Sequence, residues 1–387
     1  MKVLHLCLAS FYPDGYSYQE NLLPKFHKKL GYDVEVVASL WSFDKNGNYT
    51  YLSNDNARTY NNEYDIKVTR LKYKHDNAIF KKIRKYIGTY EAIENAKPDI
   101  IFMHGCQFLD IKYVVKYAKL HPEVKVFVDN HADFSNSATN FLSKNILHKI
   151  LWKHCARKAL PYTEKFYGVL PARVDFLNNV YKLPKHKTEL LVMGADDDLV
   201  NKYATTETKT SIRKQYGIDD NDFLITFGGK IDLFKQQVLL LMDAVNQLEN
   251  DKLKLIVFGS VVPEMKEEIE KRTSNKVQYI GWKQSEESFP LFAATDLAVF
   301  PGRHSVFWEQ VAGQGVPMLV KYWDGTTHVD LGGNVDFLYD DTVEEIKSKI
   351  THIMNPSVYG NMKSVAVSKG LKEFSYLDIA KRSIEKD

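Results

Sequence analysis

The chain has 387 residues, enough for two domains of ordinary size, and its 44% hydrophobic and 26% charged residues are those of a soluble globular protein. A formal net charge of +3 demands no nucleic-acid partner. Cys7, Cys106 and Cys155 lie far apart and form no Cys-x-x-Cys, which argues against a disulfide framework or a zinc site and suits a reducing cytoplasm.

No apolar run reaches the length of a transmembrane helix. Val3 to Ala9 is read as a first strand and not as a signal peptide, because the turn Tyr12-Pro13-Asp14-Gly15 follows at once. A helix follows with Leu22, Leu23, Phe26 and Leu30 on one face, interrupted at Pro24 and ended by Gly31. Val34 to Ala38 is the next strand, so the chain opens with a β-α-β unit of a parallel sheet. It lacks G-x-G-x-x-G, so a dinucleotide fingerprint is not supported. The polar stretch 41–64 predicts a long loop or irregular hairpin, and Ile66 to Leu71 returns to strand. Ala78 to Tyr86 and Leu147 to Lys158 each interleave Lys and Arg with apolar residues. Such pieces are either solvated helix faces or contacts for an anionic membrane surface.

Two buried strands follow, Pro98 to Gly105, ending in His104-Gly105, and Val124 to Asp129, the second leading into Asn130-His131. His104 and His131 therefore stand at carboxyl ends of strands, where open α/β sheets hold their ligands. Leu160 to Val169 and Val174 to Leu177 are expected to complete the first half at a sheet edge. Asp196, Asp197 and Asp198 invite a metal reading, but their place after a crossover strand favours a linker turn. Phe223 to Phe227 is a strand that runs into Gly228-Gly229-Lys230 and, five places on, Lys235. Strands at Leu253 to Gly259 and Val277 to Trp282 alternate with helices at 265–272 and 286–294. The stretch 296–320 then reads as strand, turn, helix, turn, strand. Leu297 to Phe300 is apolar, Pro301-Gly302 breaks it, and Ser305 can cap a helix carrying Phe307, Trp308 and Glu309. Gly313, Gly315 and Pro317 stop that helix before the strand at Met318. A helix N-terminus just past a parallel strand favours an anion. A strand at 335–339 and helices at 343–354 and 376–386 close the chain.

Glu309, Ala312, Gly313, Gly315 and Pro317 in this order resemble the donor-site signature of the retaining GT-B glycosyltransferases of glycosyltransferase family four, of the bacterial surface-polysaccharide type. The earlier Glu of the family's E-x7-E pattern is Pro301 here, and His304 or Ser305 takes its role. Gly229-Lys230 with Lys235 matches the family's pair of cations, and the strands ending at His104 and His131 match its first half. The resemblance implies two Rossmann-like, doubly wound parallel-sheet domains facing a cleft: 1–190 on the acceptor side, 191–375 for the nucleotide sugar, and 376–387 crossing back. It implies transfer of a hexosyl group with retention, from a nucleoside-diphosphate sugar to a saccharide or lipid-linked saccharide, with no bound metal or other cofactor. Lys230 and Lys235 would hold the diphosphate beside the Gly229 backbone, Glu309 the ribose, Trp282 the base, and His304 and Ser305 the phosphates or sugar. His131 would meet the sugar near its reacting carbon. Gly15, Tyr18, Gln19, Glu20 and His104 would lie on the acceptor side. By residue type alone, Gly15 is a turn glycine, Gln19 and Glu20 a solvated helical turn, and Trp282 a core residue. A nucleotide-sugar epimerase and a non-catalytic partner subunit of the same architecture are the alternatives.

Overall fold

The computed structural model describes residues 1–43 and 49–385. Positions 44–48 of the polar stretch and 386–387 of the expected closing helix lie outside the described residues. The chain divides into two compact units, Met1–Val192 with Ile379–Asp387, and Met193–Asp378.

The first unit contains β1 (Lys2–Cys7), β2 (Asp33–Ala38), β3 (Trp41–Phe43), β4 (Tyr49–Tyr51), β5 (Thr59–Asn61), β6 (Lys67–Arg70), β7 (Ile100–His104), β8 (Lys125–Asn130), β9 (Lys165–Gly168) and β10 (Thr188–Leu190). Eight of them form one sheet in the order β10-β9-β8-β7-β1-β2-β6-β5. Every pairing in it is parallel except β5 with β6, and β3 and β4 form a separate antiparallel hairpin. β1, β7 and β8 are almost wholly buried, as expected of parallel strands covered on both faces. The first crossover helix, Gln19–Lys29, keeps Pro24 in its interior and buries Leu22, Leu23 and Phe26. It also buries Gln19, Glu20, Asn21 and His27, so its polar residues line the sheet side instead of a solvated turn.

Two expected elements differ. Val174 to Leu177 belongs to the helix Pro171–Asn179, not to a sheet-edge strand. Pro171 at its first turn has the φ that starts a helix, and the four residues Val174-Asp175-Phe176-Leu177 are too few to show a period that tells helix from strand. Asp196 to Asp198 do not form a linker turn: Asp196 caps the helix Asp197–Tyr203 by accepting from the Asp198 N–H. Aspartates at that end complement the helix dipole.

The second unit contains β11 (Phe223–Gly228), β12 (Leu253–Phe258), β13 (Val277–Tyr279), β14 (Leu297–Phe300), β15 (Met318–Lys321) and β16 (Val335–Leu338). They form an all-parallel sheet in the order β13-β12-β11-β14-β15-β16. This is the doubly wound order in which the chain first moves one way and then returns to build the other side. The reversal falls between β11 and β14, and the carboxyl ends of strands at such a point are where doubly wound sheets hold their ligands. The final helix, Tyr376–Ile384, carries the chain back to the first unit. Among the described residues no helix is long and apolar enough to cross a membrane.

Candidate active site

At the reversal point of the second unit, the loop after β11 and the loop after β14 pack together. A side chain on Gly302 would stand 3.2 Å from Gln237 Oε1 and 3.7 Å from Lys235 Cα, and one on Gly229 would stand 3.9 Å from Ser305 Oγ. Gly259, after β12, has a φ of +135° and approaches so closely that an added Cβ would lie 1.8 Å from the Gly229 carbonyl oxygen. Glycine at 259 thus sets the shape of the Gly229 loop, since no side chain fits there.

Three cations gather on these loops. Lys230 is exposed, with Asp232 3.9 Å away as a distant counter-charge. Lys235 is held below the ordinary lysine range, first by burial and then by the positive charges of Lys230 and Arg303, against the pull of Asp232. Arg303 lies over the Phe234 ring, 5.2 Å from its centre. Mutual repulsion among cations with one nearby carboxylate is the electrostatic signature of an anion site.

Beside them the helix Phe307–Gly313 is anchored by the fully buried Trp308. It spans seven residues and begins after Val306. Ser305 does not occupy the cap position; its Oγ reaches the Phe307 N–H at 3.5 Å, while its carbonyl accepts from the Trp308 N–H at 2.9 Å. Glu309 is completely buried. Its Oε1 accepts the Nε2–H of His304 at 2.7 Å and of His328 at 2.8 Å. Burial opposes ionisation, but the two imidazoles outweigh it and hold the Glu309 carboxyl well below the usual carboxylate range. Oε2 is buried and has no hydrogen-bond partner among the described residues, so it keeps an unused acceptor. His304, Glu309 and His328 also place three metal-ligating atoms within 4.8 Å of one another. Their present geometry is that of two hydrogen bonds, and a cation would have to displace both ring protons. Trp282, beyond β13, is 64% exposed, which removes the core-packing reading and leaves a large aromatic face free.

In the first unit the side chains of His104 and Asp129 are register neighbours on β7 and β8. His104 is fully buried, with Nδ1 2.9 Å from Asp129 Oδ2 and Nε2 3.0 Å from His5 Nδ1. Both its nitrogens are used inside the protein, so it offers none to an acceptor. Gln19 donates to the same Asp129 oxygen at 3.1 Å. His131 is partly exposed and places Nε2 3.5 Å from Asp129 Oδ2. Burial opposes its protonation, but the Asp129 carboxylate prevails and its pKa is raised. Asp129 itself is pushed up by burial and down more strongly by His104 and His131, and stays well below the ordinary range.

Gly15 has a left-handed φ of +75°, the conformation of a turn, and donates its N–H to Glu63. Tyr18 precedes the first helix and stacks on Tyr16 and Phe43, which with Phe11 and Tyr49 form an aromatic cluster. Tyr16 and Tyr49 are exposed. Of the basic pieces, 78–86 is a helix of six residues whose following Arg84 turns inward to the Gln107 carbonyl, and whose Lys81 pairs with Asp76. In the second piece, 147–158, Trp152 is buried and Leu151 half-buried, so only part of the expected apolar face is exposed, at Ile150 beside Lys149; Leu142, Lys144 and Ile146, which precede the piece, are exposed as well.

The structure thus brings Gly229, Lys235, Gly302 and Ser305 together, and separately joins His104, Gln19 and His131 around Asp129. Sequence reasoning passed over Arg303, His328, Asp129 and the Tyr16 cluster. His328 and Arg303 both lie in loops that leave carboxyl ends of strands, the same position that marked His104 and His131.

No protein-family model matches the sequence, and no curated protein matches it. Solved structures do. HepE from Anabaena, in complex with UDP, aligns over 99% of this chain and 98% of its own with a TM-score of 0.68 at 16% identity. WaaG, a glycosyltransferase involved in lipopolysaccharide biosynthesis, aligns over 99% and 100% with a TM-score of 0.64 at 14% identity. A UDP-GlcNAc 2-epimerase from Neisseria meningitidis, bound to UDP-GlcNAc, aligns over 99% and 98% with a TM-score of 0.63 at 14% identity. The fold of this chain is therefore the two-unit α/β fold of these proteins, GT-B.

Proposed function

We propose that the protein is a glycosyltransferase that moves a hexosyl group from a nucleoside-diphosphate sugar to a saccharide or lipid-linked saccharide, with retention of anomeric configuration. The observation that carries this reading is the gathering of Lys230, Lys235 and Arg303 beside the buried Glu309 at the reversal point of the second sheet. Cleavage of a sugar–phosphate bond leaves negative charge on a diphosphate, and fixed cations around it stabilise that charge as it develops. Glu309 Oε2 accepts from a ribose hydroxyl, Trp282 stacks on the base, and His304 and Ser305 reach the phosphates or the transferred sugar. This set does the electrostatic work without a resident metal. In the first unit His131 hydrogen-bonds the sugar near its reacting carbon. The departing phosphate oxygen takes the proton of the acceptor hydroxyl, so no separate base is needed. Gly15 and the rings of Tyr16, Tyr18 and Phe43 present backbone and aromatic faces to a saccharide acceptor. Gln19 acts there through its hydrogen bond to Asp129.

The polypeptide works at an anionic membrane surface through Leu142, Ile146, Ile150, Lys144 and Lys149, where a lipid-linked acceptor would lie. Loss of vesicle binding in a Lys144→Glu, Lys149→Glu variant supports this contact, and equal binding removes it.

The test of the main reading is a thermal-shift panel with UDP, GDP, ADP and their sugar conjugates, with and without chelator. A chelator-insensitive rise with one diphosphate, through mass action on the folded state, is the expected result. No shift with any of them refutes the donor site. The epimerase-like structure above keeps a second reading in play. Interconversion of the sugar nucleotide in the absence of any acceptor would establish that reading instead.

A further inference from the structure

The first unit contains a line of buried imidazoles that none of the substrate-facing roles uses. His5 lies in β1, in register with Phe102 of β7, so the side-chain alternation of the strands puts it on the face that also bears His104. His27, on the helix Gln19–Lys29, covers that face. His27 Nδ1 is 2.9 Å from His5 Nε2, His5 Nδ1 is 3.0 Å from His104 Nε2, and His104 Nδ1 is 2.9 Å from Asp129 Oδ2. At the far end His27 Nε2 is 2.9 Å from the Ala380 carbonyl oxygen and 3.0 Å from Ser383 Oγ. Ser383 Oγ also lies within donating distance of the Ala380 carbonyl oxygen, at 2.8 Å, so its single hydroxyl hydrogen has two acceptors to choose between, that oxygen and His27 Nε2. His5, His27, His104, Asp129 and Ser383 are all completely buried.

Counting protons restricts this line. Each link between neighbours holds one proton, and a neutral imidazole supplies one. An ionised Asp129 can only accept, so the direction in which His104 points its hydrogen propagates back through His5 to His27. His27 Nε2 must then receive a hydrogen. The Ala380 carbonyl cannot give one, but the Ser383 hydroxyl can.

We propose that Ser383, His27, His5 and His104 form a positioning relay for His131. The Ser383 hydroxyl donates to His27, each imidazole is a neutral Nδ1–H tautomer donating one step towards Asp129, and the carboxylate is thereby kept ionised beside His131. This rests on the reading of His131 as an active-site residue. Burial and the neighbouring histidines hold His5 well below the ordinary imidazole range, and burial brings His27 down to about 4, so both are neutral in the folded protein at neutral pH. The charged groups acting on His131 are Asp129 on β8, Glu20 on the first helix and Arg173 on the helix Pro171–Asn179; the carboxylates favour its protonation and the guanidinium opposes it.

Ser383→Ala removes the hydroxyl donor that faces His27 Nε2. His27 Nε2 must then donate to the Ala380 carbonyl, every bond direction reverses, and the line takes up one proton, on Asp129 or as an imidazolium paired with it. The test is ring-nitrogen NMR of the whole chain labelled with 15N-histidine, in wild type, Ser383→Ala and Ser383→Thr, with assignments from single histidine substitutions. The expected wild-type result is a protonated Nδ1 and a bare Nε2 on His5, His27 and His104. Ser383→Ala should move the proton to Nε2 on these rings and lower the pKa of His131 by about one unit, because the net negative charge beside it is cancelled. Ser383→Thr should restore both. A wild-type His27 protonated at Nε2, or a Ser383→Ala variant in which His131 titrates as before, overturns the relay. These readouts do not depend on turnover. If the transferase reading fails, the tautomers still report on the relay; if the relay alone fails, turnover in Ser383→Ala keeps the wild-type pH profile.

Discussion

Replacing Glu309 by Gln keeps its shape and removes its charge. In the native protein Oε1 accepts two histidine N–H groups at 2.7 and 2.8 Å inside a fully buried site. A glutamine oxygen can accept the same two hydrogens, but as neutral bonds. Bonds to a charged group contribute roughly 1.5–3 kcal/mol against about 0.5–1.5 for neutral ones, so two of them predict a loss of about 2 kcal/mol of stability near pH 7. The sign with pH follows from linkage. The folded Glu309 carboxyl titrates below its ordinary value of 4.5, so its contribution is present above that value and is lost as pH falls towards the folded pKa. Denaturant unfolding of wild type and Glu309→Gln should therefore differ at pH 7 and converge in acid. The second consequence is at Oε2, where an acceptor becomes an NH2 donor. Calorimetric affinity for the nucleoside diphosphate found by thermal shift should fall roughly 10- to 100-fold, the equivalent of losing one hydrogen bond to a charged group. Equal affinity, or a stability gap that stays constant down to acid pH, refutes the reasoning.

Lys235→Ala and Arg303→Ala should each weaken diphosphate binding about tenfold and reduce its salt dependence; the double variant should lose less than the sum, since the two charges repel each other in the free protein. Calorimetry across a salt series checks this. Gly259→Ala should distort the Gly229 loop and abolish diphosphate binding in a protein whose first unit still unfolds normally, because a Cβ there meets the Gly229 oxygen at 1.8 Å. Hydrogen exchange of the two units separates this from global unfolding. The buried His27 should make the first unit acid-sensitive. Its pKa falls from 6.5 unfolded to about 4 folded, so stability is full above about 6.5 and declines as pH drops to about 4, by at most about 3 kcal/mol. His27→Gln should flatten that decline.

The sheets were legible because parallel strands buried on both faces show as near-continuous apolar runs, and β1, β7, β11, β12 and β14 all do, broken only by single residues such as His5 and Lys254. Helix limits were not. Val174 to Leu177 and Asp196 to Asp198 are short stretches without a readable period, and their helical state is set by Pro171 and by an aspartate cap. The donor loops were visible through Lys230, Lys235 and Glu309 because glycine, cation and carboxylate stood at fixed spacing. Arg303 and His328 were hidden because each acts through neighbours distant in sequence: Arg303 through Lys235, and His328 through Glu309 nineteen positions before it. The imidazole line was invisible for a further reason. His5 sits inside an apolar run, where only the β1–β7 register brings His104 beside it and only the packing of the first helix brings His27.

One device recurs in both units. Asp129 and Glu309 are each completely buried, and each has two imidazoles beside one oxygen: Asp129 Oδ2 is hydrogen-bonded by His104 and Gln19 with His131 3.5 Å away, and Glu309 Oε1 is hydrogen-bonded by His304 and His328. Each leaves its other oxygen buried without a hydrogen-bond partner among the described residues. A carboxylate kept for stability alone would be better served by full pairing, since an unpaired buried polar atom costs about 1–3 kcal/mol. The histidines solve half of that problem by holding the charge in place, and the free oxygen is left oriented by them. A ligand hydroxyl that donates to such an oxygen meets an acceptor already stripped of water and fixed in direction. It therefore recovers a cost that folding has already met, and binds more tightly than it would to a carboxylate at the surface.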